Sequence, residues 1–216
     1  CKDLKLISKA KTLLWERRDN MIYTILDLET TGLDHNTEQI IEIGAIRTDL
    51  HDINTLDEDS ILGMLVSLEE GKYLPGRIVE LTGITKKELD KYGVPLNEAL
   101  AKLDEFIGDT TIVAHHAAFD LGFIKTLKPR DFFCTRTIAT IMYPNSSHSL
   151  VHLAEMLDFP PTPRHHRALN DAYHAGLLFK HFTERLGSEI EMFRNKIIVM
   201  KDRPIRYRPP NAKLIV

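Results

Sequence analysis

Two carboxylates, Asp27 and Glu29, lie within and just after an apolar segment that covers residues 22–28. An apolar run of this length is typical of a buried strand. Alternate side chains of a strand share a face, so both acids project to the same side. Two adjacent negative charges in an apolar environment are costly unless they are paired. A divalent cation with oxygen ligands, Mg²⁺ or Mn²⁺, would hold them together. The alternative is a strand end at which both acids are simply solvated.

Two further acids favour metal binding over solvation. Asp120 follows a short β-branched run at 110–114 and begins a helix, which places it at the carboxyl edge of a sheet, where ligands collect in α/β folds. Asp171 lies in the first turn of a long helix predicted at 168–185. Asp27, Glu29, Asp120 and Asp171 therefore form a candidate carboxylate cluster.

A histidine accompanies the last of these acids. His166 precedes Asp171 by five residues, an offset of about 140° on a helix, so the two side chains would not share one helical face. We therefore place His166 on the preceding loop. Imidazole gains and loses a proton near neutral pH, and a histidine beside carboxylates therefore suits general-base chemistry. His165 is a rival for this role.

The remaining histidines are interpreted as surface or hydrogen-bonded core residues. A zinc site is the alternative, but the sequence contains neither a paired-cysteine knuckle nor an H-E-x-x-H motif. This interpretation covers His115, His116, His148, His152, His174 and His181.

An α/β sheet is predicted to position the candidate residues. Strands are predicted at 22–28, 40–47 and 64–68, and the short connections between them favour an antiparallel meander. Two more short strands, at 110–114 and 132–135, alternate with helical segments, which favours helices packed on a sheet. We predict a mixed five-stranded sheet, three antiparallel strands followed by parallel ones, with helices on both faces.

Helices are predicted from capping residues and from the positions of prolines, which interrupt helices. Thr85 and Glu88 fit a capping box, and Asn97 is the predicted cap of a helix at 98–107. Consecutive prolines make 159–163 an irregular loop. Other helices are predicted at 75–81, 120–125, 135–142 and 150–157.

Composition restricts the partners and the compartment. With 216 residues, of which 43% are hydrophobic, the chain can form one domain with a full core. A net charge of −3 excludes a broadly basic surface for long duplex, so contact with nucleic acid would be short and local. Two cysteines and the lack of a long apolar run favour a cytoplasmic protein without a membrane partner.

The chain divides into three predicted parts. Residues 1–20 form a helical appendage, either a basic docking arm or a surface helix packed on the domain, and the initial Cys1 indicates a trimmed chain or a piece of a longer one. Residues 21–186 form the catalytic domain. Residues 187–216 form a C-terminal extension whose basic, proline-rich tail is a linker, a binding tail or a strap.

Five motifs follow one another along the chain. They are Asp27-Leu28-Glu29-Thr30-Thr31-Gly32-Leu33, Ile40-Ile41-Glu42-Ile43-Gly44-Ala45, Leu81-Thr82-Gly83-Ile84-Thr85, Ala114-His115-His116-Ala117-Ala118-Phe119-Asp120 and His166-Arg167-Ala168-Leu169-Asn170-Asp171-Ala172. Together they closely resemble the DEDD-type 3′→5′ exonucleases, over about residues 23–178. The histidine five residues before the last aspartate resembles the histidine-bearing branch, typified by the proofreading epsilon subunit of bacterial DNA polymerase III.

The resemblance implies a ribonuclease H-like fold and assigns roles to the candidate residues. The four acids would hold two divalent cations, Mg²⁺ or Mn²⁺, and His166 would activate the attacking water. Two ions about 4 Å apart stabilise both the entering and the leaving oxygen of a phosphodiester displacement. The positions that would line the terminal nucleotide are Thr30, Leu33 and Phe119.

We therefore expect a metal-dependent 3′–5′ exonuclease that acts on single-stranded nucleic acid, DNA being favoured, and releases nucleoside 5′-monophosphates in DNA replication or repair. A DNA polymerase is a candidate partner. The alternatives are an RNA-trimming exoribonuclease and a catalytically silent docking module. Three departures from the family pattern concern the substrate more than the ligands: His116 replaces Asn, Cys134 replaces Asp, and Thr82 replaces His.

Overall fold

A computed structural model of the chain describes residues 21–51, 53–163, 165–199 and 205–215, so the predicted appendage at 1–20 lies outside the described residues. The central sheet has five strands in the order β3-β2-β1-β4-β5. Strands β1 and β2, and β2 and β3, pair antiparallel, whereas β4 pairs parallel with both β1 and β5. The predicted mixed sheet is therefore confirmed. Its strands are β1 Tyr23–Thr30, β2 Ile40–Thr48, β3 Ile61–Leu65, β4 Thr111–Ala114 and β5 Phe132–Cys134.

Seven α-helices are described, together with 3-10 turns at Glu58–Ser60 and Gly187–Phe193. They are α1 Gly76–Thr82, α2 Lys86–Tyr92, α3 Leu96–Ile107, α4 Ala117–Phe123, α5 Thr135–Met142, α6 Leu150–Met156 and α7 Ala168–Leu186. Within the described parts of the chain, no helix is both long enough and apolar enough to cross a membrane.

The capping box at Thr85 is confirmed, because Thr85 and Glu88 bond reciprocally to each other's backbone. The predicted cap at Asn97 is wrong. Helix α3 begins two residues earlier than predicted, at Leu96, directly after Pro95, which makes no side-chain cap bond. The fixed φ of proline suits the start of a helix, so it set the boundary instead of the asparagine.

The third strand was predicted at 64–68 but lies at Ile61–Leu65. The apolar run misled the prediction, because Val66 leaves the ladder and forms an isolated parallel bridge to Val94. Register with β2 instead pairs Gly63 with Gly44.

Each face of the sheet carries its own core. On one face, Leu26 and Leu28 of β1 pack with helices α3 and α4. On the other, Tyr23 and Ile25 pack with α5, α6 and α7. Because alternate side chains of a strand share a face, Asp27 lies on the α7 side of β1.

The C-terminal segment adds a small parallel sheet that the sequence analysis did not predict. Strand β6, Lys196–Ile198, pairs with β7, Lys213–Ile215. Asn195 joins this segment to β5: the Phe132 N–H donates to its side-chain oxygen at 2.8 Å, and its own N–H donates to the Phe132 carbonyl at 2.8 Å. Tyr207 packs edge-on against His35, with ring centroids 5.3 Å apart. The described part of the tail thus lies against the domain as a strap, while the predicted boundary between 186 and 187 remains a prediction.

Gly44 of β2 marks the closest approach of α7 to the sheet. A Cβ at this position would lie 2.2 Å from the Ala168 carbonyl carbon and 2.3 Å from the Leu169 nitrogen. We expect Gly44→Ala to destabilise the protein by at least about 1–3 kcal/mol, the usual cost of overpacking, because backbone atoms cannot move aside as side chains do. Urea unfolding measures the change.

Gly63→Ala is the matched control for Gly44→Ala. Gly63 pairs with Gly44 across the ladder, but its added Cβ would meet only Leu169 Cδ2, at 3.8 Å, an ordinary contact. Equal stability of the two variants would refute the close approach.

Candidate active site

Strand β1 supplies the first two candidate acids. Asp27 and Glu29 alternate with the buried Leu28 and share the face of the sheet that α7 covers. Glu29 is only 9% exposed. The chain then turns tightly, and the Thr30 hydroxyl donates a 2.7 Å hydrogen bond to the Gly32 carbonyl. Glu29 is therefore not solvated, as the strand-end alternative would require.

Asp120 reaches the same region from a different element. It lies in the first turn of α4, which follows the carboxyl end of β4, and it is 3% exposed. The backbone N–H groups of Asp120 itself and of Leu28 favour the charged form of this carboxylate. Asp120 therefore lies close to β1.

Asp171 and His166 come from the start of α7 and the loop before it. His166 lies on the loop, as predicted, with a left-handed φ of 57°. Its backbone N–H donates to Asp171 Oδ2 at 3.1 Å. A ring nitrogen of His166 and carboxylate oxygens of Glu29 and Asp171 all lie within 4.8 Å of one another. The structure thus brings together residues separated by about 140 positions in the sequence.

The sequence analysis assigned no role to Glu42, yet this residue fixes the start of α7. Glu42 lies directly opposite Glu29 in the β1–β2 ladder and is 7% exposed. Its Oε1 accepts 2.9 and 2.6 Å hydrogen bonds from Arg167 Nε and Nη2, and its Oε2 accepts the Ala168 N–H at 2.9 Å. The signal was available, since a single acid within the apolar run at 40–43 demands a partner.

Burial and mutual repulsion favour the protonated forms of the acids. Desolvation, then repulsion from Asp120, Asp171 and Glu29, holds the pKa of Asp27 well above its ordinary value. Burial raises the pKa of Asp120, although its backbone hydrogen bonds oppose the shift. Burial also raises the pKa of Asp171, against hydrogen bonding from His166 and the neighbouring imidazoles.

The pKa of Glu29 is raised to about 8, first by burial and then by the charges of Asp171, Glu42 and Asp120. Arg167 opposes this shift but is engaged by Glu42. The cluster therefore carries more negative charge than its neighbouring cation balances. Its all-carboxylate oxygen donors fit hard divalent cations such as Mg²⁺ or Mn²⁺.

This electrostatic imbalance predicts a pH-dependent stability. The pKa of Glu29 is raised in the folded chain, so between about pH 4.5 and 8 the folded state binds more protons than the unfolded state. Without divalent cations, the free energy of unfolding should therefore fall as pH rises through this window, by up to about 1.4 kcal/mol per pH unit. Thermal unfolding in chelator between pH 5 and 8 measures the trend.

Two comparisons test the origin of the pH trend. Saturating Mn²⁺ should recover the stability lost at pH 8, and Glu29→Gln should make the profile in chelator less steep. A melting temperature that increases from pH 5 to 8 in chelator would contradict the raised pKa.

Most of the other histidines have structural partners, as predicted. His115 Nδ1 and Nε2 lie 3.0 Å from Thr135 Oγ1 and 2.9 Å from the His148 carbonyl, and burial lowers the pKa of His115 to about 3. His152 bonds to Ser146, His181 to Tyr143 Oη, and His148 to the Tyr143 carbonyl.

The three departures from the family pattern also have structural settings. His116 caps α4 and stacks on Phe119, with ring planes 3° apart and centroids at 6.3 Å. The Thr82 hydroxyl bonds within its own helix end, to the Ile78 carbonyl at 2.8 Å. Cys134 is buried, and its thiol donates to the His115 carbonyl.

The three candidate nucleotide contacts differ in exposure. Leu33 is 57% exposed on the turn after β1, whereas Thr30 is buried and hydrogen-bonded within that turn. Phe119 is half-buried in α4, immediately before Asp120. Leu33 thus presents apolar surface to solvent near the acids.

Known proteins are similar to this chain in sequence. The RNase_T family model, described as an exonuclease, matches residues 24–179. A DNA polymerase III subunit epsilon from Aquifex aeolicus is 32% identical over 194 residues, covering 83% of this chain and 89% of that protein. A PolC-type DNA polymerase III from Thermotoga petrophila is 33% identical over 194 residues, covering 83% of this chain but only 14% of that protein. The chain thus spans a small part of its PolC-type relatives.

Solved structures share the fold. Exonuclease X in complex with 5′ overhanging duplex DNA superposes with a TM-score of 0.62 at 22% identity, covering 79% of this chain and 96% of that one. Exonuclease I of E. coli in complex with a dT13 oligonucleotide superposes with a TM-score of 0.66 at 16% identity, covering 80% and 43%. The predicted ribonuclease H-like fold is confirmed.

Proposed function

The chain belongs to the RNase_T exonuclease family, and from this premise we propose that it hydrolyses the terminal 3′ phosphodiester of single-stranded DNA and releases nucleoside 5′-monophosphates. It is a 3′–5′ exonuclease by family; the preference for DNA and the product are the proposal. The observation that supports the reaction most is the convergence of His166 with buried carboxylates from β1 and α7. A silent docking module would not need to keep these mutually repelling acids.

The four acids Asp27, Glu29, Asp120 and Asp171 would hold the divalent cations on which the family depends. Such cations, when bound, act as Lewis acids that neutralise charge on the phosphate and favour deprotonation of the attacking water. The raised pKa values of Asp27 and Glu29 support this assignment, because burial and mutual repulsion disfavour their charged forms and a bound cation would offset both effects.

His166 would remove the proton from the attacking water. Its ring nitrogen lies within 4.8 Å of carboxylate oxygens of Glu29 and Asp171, and its backbone N–H holds Asp171 at the same time. General-base transfer of this kind contributes about 10²–10⁴-fold to a rate. His165, the rival, faces Asp171 Oδ1 from 3.7 Å rather than joining Glu29, which favours His166 as the base.

The terminal nucleotide would lie against Thr30, Leu33 and Phe119. Stacking on the Phe119 ring tolerates any base, because every base has an apolar face, and the exposed Leu33 would contact the terminal nucleotide. This predicts little sequence preference, as removal of successive 3′ nucleotides requires.

We propose a DNA polymerase as the partner, because the relatives that cover most of this chain are polymerase III proteins. In that setting the chain would act in DNA replication by removing mismatched 3′ ends. The net charge of −3 fits a short contact at a strand end rather than tracking along duplex.

The purified chain tests the proposal directly. Single-stranded DNA and RNA of the same sequence, each labelled at the 3′ end, should be incubated with Mg²⁺, Mn²⁺ or chelator. We expect faster release of labelled mononucleotide from DNA, and none in chelator. Faster release from RNA would support the RNA-trimming alternative, and release from neither would refute nuclease activity.

A further inference from the structure

A second cluster of polar atoms lies on the other side of Asp171. His165 Nδ1, Asp171 Oδ1 and His174 Nδ1 are buried and have no hydrogen-bond partner among the residues that the structure describes. Ligand atoms of these three residues all lie within 4.8 Å of one another. Because a buried polar atom without a hydrogen-bond partner is destabilising, the convergence of three such atoms points to a shared ligand.

His174 is oriented as metal-binding histidines are. The residue is 1% exposed, and its Nε2 lies 2.9 Å from the Pro160 carbonyl. A carbonyl only accepts hydrogen bonds, so Nε2 carries a proton in this bond and Nδ1 is the ring nitrogen left to face the cluster. A metal-bound histidine characteristically donates its other N–H to a carbonyl or carboxylate, which fixes the tautomer.

Asp171 divides its two oxygens between two neighbourhoods. Its Oδ2 accepts the His166 N–H, whereas Oδ1 lies 3.7 Å from His165 Nδ1. That distance is too long for a hydrogen bond. It is close to the separation of about 3.3–3.6 Å between two ligand atoms around a tetrahedral ion with 2.0–2.2 Å bonds.

We propose that His165, His174 and Oδ1 of Asp171 form a separate binding site for a transition-metal ion of the Zn²⁺ or Co²⁺ class, with a fourth position open to water. Two imidazole nitrogens and one carboxylate oxygen select such ions over Mg²⁺, which prefers oxygen alone. Asp171 therefore contributes one oxygen to this site and the other to the carboxylate cluster. His165 and the Pro160 carbonyl both precede α7, so ion binding also secures these two residues to α7.

Crystallography of the unmodified chain tests the site without relying on nuclease activity. Crystals grown in Mn²⁺ should be soaked in Zn²⁺ and measured at the zinc absorption edge. We expect a zinc peak bonded to His165, Asp171 and His174. Zinc bound only by Asp27, Glu29 and Asp120, or bound neither there nor by His165, Asp171 and His174, would overturn the proposal while leaving the proposed exonuclease reaction intact.

Variants test the site in solution. Titration calorimetry with Zn²⁺ at saturating Mn²⁺ should show that His174→Gln and His165→Gln each weaken one binding event by at least about tenfold. His165 lies on a partly exposed loop, so its variant remains informative if His174→Gln does not fold. The control is His152→Gln on α6, because the His152 ring bonds to Ser146 at 2.9 Å, away from the proposed site. This variant should bind zinc as tightly as the unmodified chain does. Unchanged zinc binding in both site variants would refute the assignment.

Discussion

Asp27→Asn is expected to lower the rate of 3′ nucleotide release by about 10³-fold, the size of effect seen when one preorganised electrostatic group is lost from an active site. The substitution preserves the shape of the side chain but removes a negative charge at the centre of the cluster, where Asp120, Asp171 and Glu29 all act on it. Release of labelled mononucleotide under single-turnover conditions, over a Mg²⁺ titration, measures the loss. Full activity at saturating Mg²⁺ would refute the role of Asp27 as a metal ligand.

The same variant should be more stable than the unmodified chain when divalent cations are removed. Desolvation and like charges disfavour ionised Asp27, and asparagine relieves both. For a chain of this size each kcal/mol corresponds to about 2–4 °C in melting temperature. Opposite changes in stability and activity would separate loss of function from misfolding.

Asp90→Asn serves as the control for both measurements. Asp90 is an exposed acid of α2 paired with Lys86 one turn away, at 2.6 Å. Such surface pairs contribute about 0.3–0.5 kcal/mol, so neither activity nor melting temperature should change appreciably.

His166→Gln is the second change for which we expect a large effect, a fall in kcat of about 10²–10⁴-fold. Glutamine retains the backbone N–H that holds Asp171 Oδ2, so the loss should come from the imidazole. Because the acidic side of a pH–rate profile reports protonation of the base, that side should flatten in the variant. The profile of kcat between pH 5.5 and 9 provides the measurement.

The matched comparison for His166→Gln is His165→Gln. The two histidines are adjacent, but only His166 joins Glu29 as well as Asp171. A larger loss of activity in His165→Gln, with the pH profile of His166→Gln unchanged, would transfer the general-base role to His165.

Much of this architecture could be predicted because local patterns coincide with tertiary constraints. The period-two pattern of β1 placed Asp27 and Glu29 on one face of the sheet. The capping box at Thr85 was readable because both partners lie within four residues. Helix α5 matches its prediction over Thr135–Met142 because it begins directly after a strand.

The features that escaped prediction depend on long-range contacts. The end of β3 depends on a bridge from Val66 to Val94, which no local pattern encodes. The strands β6 and β7 are three residues each and pair across the strap, so neither carries a periodic signal. The role of Glu42 requires knowing that it faces the start of α7, 126 residues further along the chain.

Glu42 also supplies the protein with a spectroscopic probe. The Ala168 N–H is buried and donates to Glu42. Glu42 lies directly opposite Glu29 in the β1–β2 ladder. A change in charge at Glu29 should therefore alter the electrostatic environment of the Ala168 amide through Glu42, and with it the chemical shift of that amide. In a ¹H–¹⁵N spectrum, the Ala168 cross-peak should accordingly report cation occupancy of the cluster in the absence of substrate or turnover.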